Sequence, residues 1–303
     1  MALKRLQYAD IPKENKDDAK SLVKWFHDFR DFTIVGSWYP DEVFKDMTPS
    51  HIIKYVPAGE GEVKFKSLPK TMEMFGEGKK SPLYGKPFTI TMGNCADRCE
   101  SISHSIVDNF KILQSEDRGC PISTSSNHIA MRFFILSHYI ADCHMPLHCD
   151  NRQFSGGQDL HGYIEGIWDK EIRKSYQIDI ANNRFFYAPD GYPLEAKITP
   201  LVKAVEEDIV KREFLYAWGP GNKSTWDYMS AVSQYSYLMA YKMLPESMNE
   251  KTTTAQYKAS EAFGNLEEYS RMVFCDAIDS IARVWLHVWA RFRDWDKGKS
   301  KKN

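Results

Sequence analysis

His138-Tyr-Ile-Ala-Asp142-Cys-His144-Met-Pro146-Leu-His148 is followed, after a short glycine-containing loop, by Asp159-Leu-His161-Gly-Tyr-Ile-Glu165. Five candidate metal ligands, His138, Asp142, His148, His161 and Glu165, therefore fall within 28 residues. Side chains four apart in a helix share a face, so His138 with Asp142, and His161 with Glu165, can each clamp one ion from a single turn. Pro146 must interrupt the first helix, which places His148 on the bend leading to the second. Imidazole and carboxylate donors suit zinc first, then manganese or iron. One His-x-x-x-Asp pair is commonplace in a protein that binds no metal. Two pairs plus a histidine on the bend are not, because carboxylates and imidazoles are costly to bury unless paired or metal-bound. The expectation is a polynuclear site whose helical ligand pairs face each other across the bend.

The elements that must position these ligands read as mainly helical. Residues 16–32 place Leu22, Trp25, Phe26 and Phe29 on one face, and should cover the core. Residues 98–113 and 126–143 are predicted helices, the second apolar enough at Ile129, Phe133, Phe134 and Ile135 to be central. The second ligand helix spans 159–176, with Asp159 as its N-cap. Ala188-Pro-Asp-Gly191 signals a turn, and helices follow over 201–218, 226–244 and 266–295. His287 on the last of these reads as structural. Residues 55–90 are an excursion rich in Gly, Pro and Lys, with a short hairpin at Glu62-Val-Lys-Phe-Lys, and 296–303 form a basic tail. No linker divides the chain, so the expected fold is all-α: one multi-helix domain over 1–303 with the metal cluster in a cleft between helices.

The ligand string, with His161-x-x-x-Glu165 and Trp168-Asp169, resembles the core of the zinc-dependent phospholipase C and single-strand nuclease superfamily. That family has two ligands upstream, an Asp in a short Trp-x-Asp-like motif and a His soon after it. Here Ser37-Trp38-Tyr39-Pro40-Asp41 and His51-Ile-Ile-Lys-Tyr55 fit those places. The resemblance implies Asp41, His51, His138 and Asp142 on one zinc ion and His148, His161 and Glu165 on a second, with Asp142 bridging and Asp41 and Asp142 as the catalytic carboxylates. Family members hold a third ion with an N-terminal tryptophan amine and a nearby histidine. This chain begins Met1-Ala-Leu-Lys-Arg and has no histidine before His27, so two ions are expected. Trp25-Phe26-His27 reads instead as part of an amphipathic face. His144 is expected beside the ligands or on the surface, and Asp159 and Asp169 as capping or orienting groups.

The implied activity is hydrolysis of a phosphodiester. A metal-held water has its pKa lowered from about 15.7 toward 7, and paired ions stabilise both oxygens of an in-line displacement at phosphorus. The short interval from His148 to His161 and the terminal glutamate resemble the phospholipase branch, whereas Pro-Leu-His and Trp-Asp resemble the nuclease branch. A phospholipid head group and a single-stranded nucleic acid or 3′-nucleotide are therefore the two substrate classes. A phosphomonoesterase or a non-catalytic metal-binding helical protein are the other readings. An apolar rim would mark the first substrate and exposed aromatic platforms the second.

Composition sets bounds. Lys and Arg number 40 against 41 Asp and Glu, a net charge of −1, so no global basic field advertises nucleic-acid binding. The basic groups at Lys79-Lys80 and at Lys170, Arg173 and Lys174 read as solvated faces. There is no transmembrane segment and no apolar leader within the first 20 residues, so a cytoplasmic location is expected for the chain as written, and an extracellular one for a longer N-terminus. Six scattered cysteines make no disulfide framework. Cys95 and Cys99 have the spacing to bridge or bind metal, with ordinary core residues the simpler reading. Cys143 and Cys149 flank ligands and carry no assigned chemistry.

Overall fold

The most apolar helical segment of the sequence lies at the centre of the molecule. In the computed structural model, which describes residues 1–8, 11, 13–29, 36–57, 88–115, 122–182, 184–212 and 224–300, the chain is mostly α-helical. Helices α1 (Ala2–Tyr8) and α2 (Lys13–Asp28) precede a π-helical turn (Pro40–Phe44) and a 3₁₀ turn (Thr48–Ser50). Then come strand β1 (Lys54–Pro57), strand β2 (Phe88–Met92) and helices α3 (Cys95–Leu113) and α4 (Ser126–His144). A one-turn helix α5 (Pro146–Cys149) leads to α6 (Leu160–Ser175), and β3 (Ile178–Asp179) and β4 (Arg184–Phe185) lead to α7 (Pro200–Lys211). Helices α8 (Thr225–Met243), α9 (Thr254–Lys258), α10 (Glu261–Gly264) and α11 (Leu266–Ser300) complete the order.

Helix α4 is capped by Ser125, whose side chain accepts from the His128 amide, and it buries Ile129, Phe133, Leu136 and Ile140 completely. It packs against α3, α8 and α11. An aromatic layer locks α2 to α4 and α11. Phe26 meets Phe133 edge-on and lies 4.6 Å, centroid to centroid, from Trp285. Trp25 touches Phe110 and Trp289, and Phe110 stacks on Phe292. Such pairs contribute about 0.5–1.5 kcal/mol each beyond the area they bury. Trp25 is thus a packing residue, as its amphipathic face suggested.

Several boundaries differ from the sequence reading. Helix α1 was not anticipated, because its stretch is polar. It is held by Arg5, which is 1% exposed and whose Nε donates to Asp279 Oδ1 at 2.5 Å across 274 residues. Helix α3 starts at Cys95, three residues before the expected point. Helix α11 runs on to Ser300, so most of the expected basic tail is helical; Arg293 of the expected helix pairs with Asp296 at the start of this extension. Helix α7 ends at Lys211, and the rest of the expected 201–218 helix lies largely outside the described residues. The hairpin expected at Glu62 also lies outside them. The ends of the 55–90 excursion instead pair with each other as the antiparallel strands β1 and β2, with Tyr55 opposite Ile90. Among the described residues no helix is long and apolar enough to cross a membrane.

Candidate metal centre

Seven donors come together from four segments. His138 and Asp142 project from the same side of α4, as their spacing requires. The helix stops at His144, Met145 takes an extended conformation (ψ 111°) and Pro146 opens the one-turn α5. That break turns His148 toward Asp142, with 3.3 Å between His148 Nδ1 and Asp142 Oδ1. His161 and Glu165 share the first turns of α6, where Nε2 and Oε1 are 3.1 Å apart. Asp159 caps that helix, its carboxylate accepting from the Gly162 amide. Asp41 and His51 arrive from the π-helical and 3₁₀ turns.

The donors fall into two groups. Asp41, His51 and His138 form one, and His148, His161 and Glu165 the other, with the ligand atoms of each within 4.8 Å of one another. Asp142 spans them. Its Oδ2 lies 2.9 Å from His51 Nδ1 and 3.2 Å from His138 Nε2, while Oδ1 faces His148. The placement of Asp142 between the pairs is therefore seen directly. The side chains of His51, His138, Asp142, His148 and His161 are only 12–16% exposed, whereas Asp41 and Glu165 are 63% and 48% exposed, so the centre opens to solvent beside those two carboxylates.

The polar atoms at this centre are mostly acceptors. His138 Nδ1 donates to the Ser37 carbonyl at 2.9 Å, which leaves Nε2 with a lone pair, and that Nε2 lies 3.1 Å from His51 Nδ1. His161 Nδ1 is held by Ser155 Oγ at 2.9 Å. The buried Nδ1 of His148 makes no hydrogen bond to a described residue. No Lys or Arg side chain is ion-paired to Asp41, Asp142 or Glu165 among the described residues. Ring nitrogens and carboxylates converging without a cation are the arrangement that zinc, with N and O ligands at about 2.0–2.2 Å, would complete.

The electrostatics agree. Burial favours the neutral form of Asp142, but the imidazoles of His138, His148 and His51 around it outweigh that and hold the carboxyl far below the usual range. Burial likewise pulls His138 and His148 down, and the Asp142 carboxylate more than restores them, leaving both raised. Burial pushes Glu165 up, and His161 brings it below its ordinary value.

Residues around the ligands that the sequence reading missed hold them in place. Tyr139, next to His138, donates to Asp46 Oδ2 at 2.5 Å, and Arg98 Nη2 pairs with the same oxygen at 2.8 Å. The Asp41–His51 segment is thereby pinned to α3 and α4. Burial raises Asp46, and Tyr139 and Arg98 together bring it below the ordinary carboxylate value. Gly93 has φ +98°, and a Cβ there would lie 2.1 Å from the Ile52 carbonyl oxygen, so the turn beside His51 requires glycine. Asp150, 1% exposed, binds Arg152, whose guanidinium lies over Tyr241 and donates to the Leu244 and Pro245 carbonyls. That cluster fixes the loop between His148 and His161.

Three secondary expectations change or narrow. His144 is neither beside the ligands nor on the surface: it is 2% exposed and its Nε2 is 2.7 Å from Ser280 Oγ in the helical core. Asp169 pairs with Arg173 on an exposed face, and Trp168 Nε1 donates to Ser270, so neither orients a ligand imidazole. The donors are not carried by facing helices alone, since two come from the turns of residues 40–51. Comparison with known proteins adds nothing to this geometry: no family model, no curated protein and no solved structure matches the chain.

Proposed function

We propose that this chain is a zinc-dependent phosphodiester hydrolase, similar in ligand order to the zinc-dependent phospholipase C and single-strand nuclease superfamily. The position of Asp142 carries the reading. One carboxylate oxygen serves each donor group, as a bridge between two ions would, and a structural zinc site needs no such sharing. His51, His138 and Asp41 would hold one ion, and His148, His161 and Glu165 the other. Bound zinc supplies an acidified water and neutralises charge on a phosphate ester. The protein's own part is to set the His138 tautomer through the Ser37 carbonyl, to hold the His161 ring through Ser155, and to keep Asp142 ionised.

The preferred substrate is a phospholipid head group. Val43, Phe44 and Met47, on the segment that carries Asp41 and His51, are 59%, 48% and 72% exposed, and Met92 beside it is 42% exposed. Large apolar side chains left in water next to a reactive centre fit an acyl-chain surface. The even charge balance provides no general attraction to a polyanion.

Metal analysis joined to assays on phosphatidylcholine vesicles, a soluble phosphodiester and single-stranded DNA tests both levels. Two zinc ions per chain and head-group release are expected. Replacing Phe44 and Met47 together by serine should slow vesicle hydrolysis about tenfold or more while sparing the soluble ester. Zinc-dependent degradation of single-stranded DNA without head-group release would replace the lipid reading by the nuclease one. Absence of bound metal would remove both.

A further inference from the structure

Directly after Asp142, Cys143 enters a second cluster. Its Sγ lies 3.1 Å from Cys95 Sγ, and the sulfurs of Cys95, Cys99 and Cys143 are all within 4.8 Å of one another. Cys95 and Cys99 are fully buried and Cys143 is 1% exposed. Cys95 and Cys99 sit one turn apart at the start of α3, which packs against α4. The nearest other partner of Cys95 Sγ is the Tyr139 carbonyl, at 3.3 Å.

Two chemistries fit three converging sulfurs, and distance and charge together bear on the choice. A tetrahedral ion bonded to sulfur at about 2.3 Å holds its sulfurs about 3.8 Å apart, so the Cys95–Cys143 contact would have to open for one. Three thiolates on one divalent ion beside Asp142 would also leave a net negative charge buried. A disulfide is neutral, and at a bond length of about 2.05 Å it requires the two sulfurs to close by about 1 Å. We infer that Cys95 and Cys143 are an oxidisable pair that forms a disulfide with a peroxide as the oxidant, while Cys99 remains a thiol.

The step balances. One thiol sulfur attacks hydrogen peroxide, the O–O bond breaks and water leaves, giving a sulfenic acid. The second sulfur then displaces that hydroxyl, the S–S bond forms and a second water leaves. The two thiols lose two electrons and the peroxide gains them, and both thiol protons end in water. The bond would tie the residue after Asp142 to the start of α3, whose Cys95 amide donates to the Ile52 carbonyl beside His51. It would therefore clamp together two segments that carry metal donors, whatever substrate the centre acts on.

The test is a thiol map of the full chain, with and without hydrogen peroxide, alkylated after denaturation and digested. The expected result is a Cys95–Cys143 linked peptide lighter by two hydrogens, with Cys99 alkylated. A Cys99→Ser variant should still form the link and a Cys143→Ser variant should not; the wild-type map decides the matter if a variant does not fold. Alkylation of all six cysteines after peroxide, or a link made through Cys99 or Cys149, would overturn the inference. So would a native mass that carries an extra ion lost when Cys95, Cys99 and Cys143 are alkylated.

Discussion

Asp142 and His144 are two residues apart on helix α4 and look into two different polar interiors. Among the described residues Asp142 faces the imidazoles of His51, His138 and His148. His144 faces a network under α11 in which Arg5 pairs with Asp279 and donates to the Ile209 carbonyl, and Arg212 Nη2 meets Asp276 at 2.5 Å and Arg212 Nη1 lies 3.7 Å from Asp279. Arg283 is buried nearby at 2% exposure. The second interior contains its own cations, and they pair with its carboxylates. Among the described residues the first has no Lys or Arg ion-paired to Asp41, Asp142 or Glu165, and an ion from outside would complete it. The histidines report the difference: His138 and His148 are raised by Asp142, whereas burial and then the charges of Arg212 and Arg283 push His144 down to about 3. Burial also lifts Asp276 to about 6 against the pull of Arg212. A buried carboxylate is thus no sign of a metal centre until the nearby cations have been counted.

The contrast breaks most sharply at Asp142. Asp142→Asn should lower phosphodiester hydrolysis by about 10³-fold or more and release at least one ion, since one shared carboxylate serves both donor groups. The apolar packing of α4 should preserve the fold. Circular dichroism with metal analysis checks this, and wild-type turnover with full metal content would refute the bridging assignment.

Arg212→Met makes the opposite cut. It leaves Asp276 buried without its guanidinium, so urea unfolding should show a loss of about 3–5 kcal/mol, with zinc content per folded chain unchanged. A variant that kept its stability but lost zinc would show that the two interiors are one system.

His144 gives the pH dependence. Its folded pKa of about 3 lies below the ordinary 6.5, so the unfolded chain binds more protons between those values. Its contribution is intact above about pH 6.5 and falls as pH drops toward 3, by about 2–3 kcal/mol at pH 4.5. His144→Gln should flatten that part of the stability profile, and an unchanged slope would remove His144 as its source. At the small end, Asp159→Ala removes the cap of α6 at a left-handed residue (φ 45°) and should cost about 1 kcal/mol by thermal denaturation, with the ligand set intact.

What was legible in the sequence follows from range. The pairs His138/Asp142 and His161/Glu165 and the Pro146 bend are set by helical period and proline geometry, and the structure places them as read. Asp41 and His51 carry no local pattern and were found through resemblance alone; the two turns that bring them in depend on Asp46, Tyr139 and Arg98, spread over 93 residues. The core position of His144 and the anchoring of Arg5 were not legible, because a helical repeat says which face a residue occupies but not what the face meets. Cys95 and Cys143 are 48 residues apart, and their contact is likewise tertiary.

The cover on α4 has a consequence in time. All seven donors lie at or before Glu165, but the helix bearing two of them is covered by later segments: Ser236 donates to the Cys143 carbonyl, Trp285 to the Phe133 carbonyl, and Ser280 meets His144. Pairings of such high sequence separation form late in folding, after a large loop-closure entropy has been met. A zinc finger closes its ligands locally, so its metal can drive folding. A zinc ion at the proposed centre would be captured only after helices α8 and α11 had docked, and would report a finished fold.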